Sequence, residues 1–311
     1  MRHRTRWQEF WHTFRKNKLA LAGLFFLVFF FLFAIAGVLL TYGKAPFFNP
    51  ETVRLVDKLK PPLSRPTKEV IPEKDLPAFG VYLLGTDDLG RDIFARMLQG
   101  AVVSLSVGFV AVGTSVVIGM ILGGIAGYFG KMKIIRNFSV DALITKLIDI
   151  MLCFPAFFLI LTLIAILPGN IWIIMVVIGI TGWTGTARFV RAEFLSLREQ
   201  DFVMAAEALG LPRRRIIVRH MMPNAIAPVL VSATIGIPGA ILTESALSFL
   251  GFGVPPPYAT WGNILASGRE FIFDAPWILF SPGIAILLTV LSFNLFGEGL
   301  RDALNPKLRR R

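Results

Sequence analysis

The sequence predicts an all-α polytopic membrane protein with six transmembrane helices, and three observations carry that prediction. Mean hydropathy is +0.67, and of 311 residues 55% are apolar while only 17% are charged. Uncharged runs extend over Leu19–Gly43, Met97–Gly130, Ile150–Ala187, Ala225–Thr243 and Ala275–Gly297, and about 20 apolar residues suffice to cross the hydrocarbon as a helix. The third run is too long for one crossing. Pro168-Gly169-Asn170 divides it into a hairpin, because proline and glycine break a helix where water can solvate the turn. Six crossings follow.

Charge sets the orientation. With an even number of spans both termini share a side, and the segments on that side hold 22 of the 32 Lys and Arg residues. The other 10 lie on the opposite side among 10 acids, so that side is neutral. Positive residues are retained in the cytoplasm during insertion. The net charge of +12 is therefore a topology signal, both termini are expected to be cytoplasmic, and no nucleic-acid partner is implied.

Residues 1–18 read as a cytoplasmic amphipathic segment, with Trp7, Phe10, Trp11 and Phe14 at helical spacing beside Arg15, Lys16 and Lys18; the aromatic face is expected against lipid. Residues 19–42 form the first span, a retained anchor because the run lacks a small-residue cleavage pattern. Residues 43–101 form an extracytoplasmic loop with seven prolines between Pro46 and Pro77. A core over 102–300 follows, with spans at about 102–129, 147–167, 171–188, 225–250 and 277–300 and a cytoplasmic loop at 189–224. A basic tail, 301–311, ends the chain.

Within the spans, Gly119, Gly123 and Gly127 recur at four-residue intervals and make one groove for close helix packing. A sliding contact during gating and plain tight packing both fit that pattern. Asp149 is three residues from Lys146 and is expected to pair at the interface. Glu244 interrupts an apolar stretch, where an ionised carboxylate is costly; it is either a translocation or gating group or a neutral, hydrogen-bonded structural carboxyl. Cys153, the one cysteine, has no disulfide partner and is expected to be a buried, inert thiol.

The sequence offers little catalytic chemistry. Gly124–Lys131 has the wrong glycine spacing for a P-loop, and Met132 stands where Ser or Thr is required. No cofactor or metal is expected on this chain. Asp87, Asp88 and Asp92 resemble one half of a magnesium–diphosphate site, but a second acidic cluster is missing; a turn stabilised by aspartate side chains fits better. A membrane-embedded prenyl-type transferase and an ion-coupled secondary transporter stand as alternatives.

The most informative segment is Met204-Ala-Ala-Glu-Ala-Leu-Gly210, followed by Arg219-His-Met-Met-Pro-Asn224. Gly210 suits the left-handed residue that closes a helix, and Pro212 the first turn of the next. Ala205, Ala206, Ala208 and Gly210 leave a surface that a partner's backbone can approach. This stretch resembles the cytoplasmic coupling loop of binding-protein-dependent ABC importer permeases: Glu-Ala-Ala, three residues, Gly, nine residues, Ile-x-Leu-Pro. Ala205, Ala206, Gly210 and Pro223 match, whereas Met204, His220 and Met222 depart from it. Arg219–Asn224 is similar to the Arg-His-x-x-Pro-Asn variant of the dipeptide/oligopeptide/nickel branch. Arg15–Gly23, Leu84–Asp92, and Leu242–Gly253 with Trp261-Gly262 resemble further segments of that branch's C-type subunit.

The resemblance implies a type I ABC importer permease fold, in a bacterial or archaeal plasma membrane, carrying di- or oligopeptides. Its implied partners are a second homologous permease, two P-loop ATPase subunits that hold ATP and magnesium, an extracytoplasmic solute-binding protein, and membrane lipid. Ala205, Ala206, Glu207, Gly210, Arg213, Arg219 and Pro223 would couple to the ATPases. Asp87, Asp88, Arg91, Asp92 and Trp261 would belong to the outer surface on which the binding protein lands.

Overall fold

The computed structural model describes residues 6–43, 46–67, 71–72, 76–130, 132–135 and 138–304. Most of the expected basic tail therefore lies outside the described residues. The helices are α1 Arg6–Lys16, α2 Lys18–Thr41, α3 Ile93–Phe129, α4 Val140–Cys153, α5 Ala156–Ile166, α6 Ile171–Arg198, α7 Asp201–Ala208, α8 Arg213–Arg215, α9 Met222–Phe249, α10 Trp261–Gly268 and α11 Trp277–Leu304. A small antiparallel hairpin of β1 Lys133–Ile135 and β2 Phe138–Ser139 joins α3 to α4. Among the described residues it is the one pair of strands; the stretch between α2 and α3 is mostly irregular and adds two isolated bridges, Ser64 to Tyr82 and Thr86 to Asp92.

Caps written in the sequence start these helices. Asn17 accepts from the Ala20 N–H at 3.1 Å, Ser139 from Ala142 at 3.1 Å and Asn170 from Trp172 at 2.8 Å. Thr260 and Asn263 form a reciprocal capping box on α10. Each satisfies backbone donors that the first turn of a helix leaves orphaned.

Five helical segments are long and apolar enough to cross a membrane: α2, α3, α6, the continuous run Arg213–Phe249, and α11. The pair α4–α5, bent by 81°, makes a sixth if it is one broken span. The span expected at about 147–167 is thus two helices, and Pro155 is the cause. It has no N–H for the ladder, and it drives Phe154 to the extended region at φ −97°, ψ 129°. Beside the bend Cys153 is exposed on the chain's surface, not buried. Two other helices outrun their expected spans: α3 begins at Ile93 and α6 continues to Arg198.

The centre of the bundle is the contact of α3 with α6. A methyl group built on Gly119 would stand 2.6 Å from Thr186 Cβ, and one on Gly127 2.5 Å from Phe194 Cβ. On Gly123 it would collide with the Ala187 carbonyl. Gly179 of α6 returns the relation, meeting Thr114 Cβ at 2.6 Å. All three expected glycines therefore lie in one seam within the chain, the tight-packing arrangement. Asp149 of α4 ion-pairs with Arg188 of α6 at 2.9 Å, a partner across helices that spacing along one helix did not offer. Arg191 grips Asp141 through both Nε and Nη2.

The α1 aromatic face differs from expectation. Phe14 is buried and its ring meets Phe296 of α11 edge-on at 5.8 Å, so α1 packs against the end of α11 as well as facing outward.

The seam is testable. Gly123→Val should lower the stability of the detergent-solubilised protein by about 1–3 kcal/mol through overpacking. Gly113→Ala on the same helix, with no neighbour within 4 Å, should leave the thermal midpoint unchanged or raise it slightly, since alanine is the better helix former; equal loss of stability in both variants would refute the seam.

Candidate functional site

The elbow between α6 and α9 is built by local rules. Helix α7 ends in a Schellman motif: the Gly210 N–H donates to the Glu207 carbonyl at 3.0 Å, and the Leu211 N–H to the Ala206 carbonyl at 3.2 Å. Gly210 takes φ +71°, the left-handed conformation anticipated from sequence. Pro212 then caps α8, and a π-helix at Ile216–Met221 leads into α9. The wide turn, in which the Met222 N–H reaches the Ile217 carbonyl, accommodates Pro223 in the first turn of α9, where its missing N–H costs least.

Burial divides the elbow into two faces. Val203 and Ala206, three residues apart, are buried with Ile216 and Met221. Ala206 is therefore an inward anchor and not part of an open surface, a correction that follows from helical spacing once the buried face is known. The outer face carries Met204 at 50% exposure and Leu209 at 81%, with Ala205, Ala208 and Gly210 also exposed. Arg213, Arg219 and Pro223 are exposed as well. Met204 and Leu209 escaped sequence reasoning because their apolar character reads as core.

Two further residues missed by sequence hold the elbow to the bundle. The Tyr128 hydroxyl donates to Glu207 Oε1 at 3.3 Å. Arg198 donates to the Tyr128 carbonyl at 3.1 Å and lies 5.6 Å over its ring. With Arg213 these groups line a cavity of about 480 Å³. Glu207 thus acts as a tether to α3.

The outer candidates are placed differently. Asp87 closes a turn: its Oδ1 accepts from the Leu89 and Arg91 N–H groups at 2.9 and 2.8 Å, and its Oδ2 from Arg91 Nε at 2.7 Å. Asp92 caps α3, accepting from the Phe94 N–H at 2.9 Å, and burial pushes its carboxyl up to about 6 against the pull of backbone hydrogen bonds. The Trp261 indole donates to the Met97 carbonyl at 3.2 Å, and its backbone N–H donates to Ser104 Oγ at 3.1 Å. Asp87, Asp92 and Trp261 are buried, and Asp88 and Arg91 half-buried. The open landing surface expected from these five is corrected to a largely internal clasp: Asp87, Arg91, Asp92 and Trp261 bond within the chain, while Asp88 Oδ1 is enclosed without a partner. A saturated Asp87 also removes the basis for a diphosphate site.

Beneath the clasp lies Asp57. Its carboxylate accepts from Tyr82 Oη at 2.7 Å, Thr67 Oγ1 at 2.7 Å and Lys60 Nζ at 2.6 Å. Burial raises the Asp57 carboxyl, but hydrogen bonds from Lys60, Tyr82 and Thr67 outweigh it and hold the group below its ordinary value.

Glu244 is fully buried between α9 and α10, where Ser248 Oγ donates to it at 2.7 Å. It does not line the main intrabundle groove, about 330 Å³ between α3, α5, α6 and α9. Ser115, Thr181, Thr186, Ser232 and Thr243 supply the polar lining, and no ionisable side chain contributes. The bond from Ser248 to Glu244 lies within α9 and Glu244 Oε2 is enclosed without a partner, and the charge that an ion-coupled transporter would place on the path is not supplied to this groove by it.

Comparison with known proteins accounts for this arrangement. A profile described as "Binding-protein-dependent transport system inner membrane component" matches residues 115–310, and one described as "N-terminal TM domain of oligopeptide transport permease C" matches residues 5–62. The chain belongs to the first of these families. The permease is 41% identical over 303 residues to the dipeptide transport system permease protein DppC of Alkalihalophilus pseudofirmus, which covers 97% of this chain and 90% of that one. It is 37% identical over 307 residues to the oligopeptide transport system permease protein OppC of Bacillus subtilis, at 98% and 90% coverage. Its fold is similar to that of a chain in inward-facing structures of the MetNI methionine ABC transporter, with TM-score 0.54 and 17% identity over 68% of this chain and 98% of that one. The permease is a multi-pass transport subunit of the ABC importer type, and the elbow and most of the groove fall within the matched region.

The outer clasp yields a pH-resolved test. Asp57→Asn should cost about 1.5–3 kcal/mol, the range for hydrogen bonds to a charged group, read as loss of hydrogen-exchange protection at the Thr67 amide, which donates to Asp57 Oδ1 at 3.2 Å. In the unsubstituted permease the depressed carboxyl contributes fully above about pH 4 and is lost as pH falls through its lowered folded value. Protection of that amide should therefore hold at neutral pH and fade only under stronger acid.

Proposed function

We propose that this permease forms half of the translocation pathway of an ATP-driven importer of di- or oligopeptides in a bacterial or archaeal inner membrane, with both termini cytoplasmic. Two separate P-loop ATPases hold ATP and magnesium, a second related permease completes the pathway, and an extracytoplasmic binding protein delivers the solute. The observation that carries this reading is the elbow's exposed apolar tip, Met204 and Leu209, on a helix closed by Gly210 and anchored by Val203 and Ala206. An apolar knob on an otherwise basic segment has little reason to face water and fits a cleft in a soluble partner.

The mechanism follows from what the knob is attached to. Closure of two ATPases displaces α7. The tethers Arg198–Tyr128–Glu207 pass that displacement to α3, and the continuous helix beyond Arg213 passes it to α9. Both helices wall the hydroxyl-lined groove, whose uncharged lining suits main-chain amides of varied peptides.

Two substitutions separate docking from folding. Leu209→Arg places charge on a surface residue and should weaken ATPase retention by about 2 kcal/mol or more, some thirtyfold, with an unchanged thermal midpoint. Gly210→Ala should strain the left-handed position by about 1–2 kcal/mol and reduce coupling of ATP hydrolysis to uptake in proteoliposomes. Normal copurification of the ATPases with Leu209→Arg would overturn the assignment of this face.

A further inference from the structure

The geometry points to a binding site for an anionic glycerophospholipid, its acyl chain lodged in a groove between α1, α9 and α11. This inference stands independently of the solute carried. The groove measures about 750 Å³, and every side chain lining it is apolar. Trp11 and Phe14 form its α1 wall, Ile226 and Leu230 its α9 wall, and Phe296 and Leu300 its α11 wall. Ile226 and Leu230 are 42% and 55% exposed, so the groove is unfilled by the described residues.

Three observations select lipid as the occupant. The first is position: the walls α9 and α11 are membrane-crossing segments and α1 is an amphipathic helix packed beside their ends, so acyl chains are the solvent there. The second is orientation. Around α9, at 3.6 residues per turn, the face bearing Ile226 and Leu230 is roughly 130° from the face bearing Ser232, Gly236 and Thr243. On the proposed function, on which this step rests, a second pore-forming chain would cover the hydroxyl-lined face and leave this one to the membrane. The third is charge. The Arg15 guanidinium lies 5.6 Å over the Trp11 ring at the rim, with Lys16 and Lys18 beside it in sequence. Among the described residues none of these three cations is ion-paired, which matches an anionic headgroup and not a zwitterionic one.

The site has a consequence for coupling. Its α9 wall starts at Pro223, directly after the π-helix that joins the elbow to α9. A lipid seated there links α1 to the segment that carries the elbow's displacement.

Trp11 provides the readout. In the assembled importer in nanodiscs, the emission lost on Trp11→Phe isolates this indole from the others. Phosphatidylglycerol brominated on its acyl chains should quench that component at about tenfold lower mole fraction than brominated phosphatidylcholine, the scale expected for clustered juxtamembrane cations. The variant Arg15→Gln/Lys16→Gln/Lys18→Gln should abolish the preference while retaining quenching. Ile226→Phe/Leu230→Phe, which fills the groove, should abolish quenching by both lipids, with retained ATPases and an unchanged thermal midpoint reporting an intact fold. Absence of quenching by either lipid in the unsubstituted protein, equal quenching by both, or quenching that persists in the filled variant would each overturn the proposal.

Discussion

Backbone-to-backbone contact between α3 and α6 is the constraint on which the remaining structure depends. In lipid, burial of apolar surface gives helices no reason to associate, and close van der Waals packing takes its place. Gly119, Gly123 and Gly127 bring α3 onto α6 along one seam, and Gly179 of α6 answers with its own close approach to α3. The seam aligns the two helices along much of their length. Between them the two helices help wall the hydroxyl-lined groove, and at their ends they carry the clasp, at the start of α3, and the elbow, beyond the end of α6.

The same logic explains where polar groups are concentrated. A chain that gains little from hydrophobic burial in its spans builds its specific junctions from saturated hydrogen bonds. At the outer end Asp57 and Asp87 each collect several donors, and Trp261 anchors α10 to α3 through its indole and its backbone N–H. At the elbow Tyr128, Glu207 and Arg198 do the corresponding work with fewer and longer contacts. The outer junction is enclosed and the inner one open, which suits a fixed rim and a movable lever.

The elbow also shows how a short helix is made to present a surface. Eight residues cannot hold a helix by propensity alone. Two inward side chains, Val203 and Ala206, and a Schellman end at Gly210 fix it in place. Leu209 and Met204 are left outside because the turn count of α7 puts them there. Beyond it the π-helix widens the backbone just before Pro223, so the lever continues into α9 without a break.

The sequence by itself determined the class, the apolar segments fit to cross a membrane and the chemistry of the turns. Hydropathy runs, Pro168-Gly169-Asn170, Gly210 and the helix caps act within a few residues, so their conformations follow from local physics. Those local rules also hinted at more than was taken from them: Pro155 was a legible break, and the spacing of Val203 and Ala206 marked a buried face. Tertiary structure alone decided which polar groups are spent internally. Asp87, Asp92 and Trp261 look like surface chemistry in one dimension and are enclosed in three: the hydrogen bonds of Asp87 and Asp92 are local but their burial is set by the packed chain, and Trp261 meets Met97 and Ser104 from far along the sequence. Nothing near Tyr128 in sequence names Glu207 or Arg198 as its neighbours, and Asp149 meets Arg188 only because the bundle sets α4 against α6. Long-range pairing depends on the packing of whole helices, and no window of residues contains it.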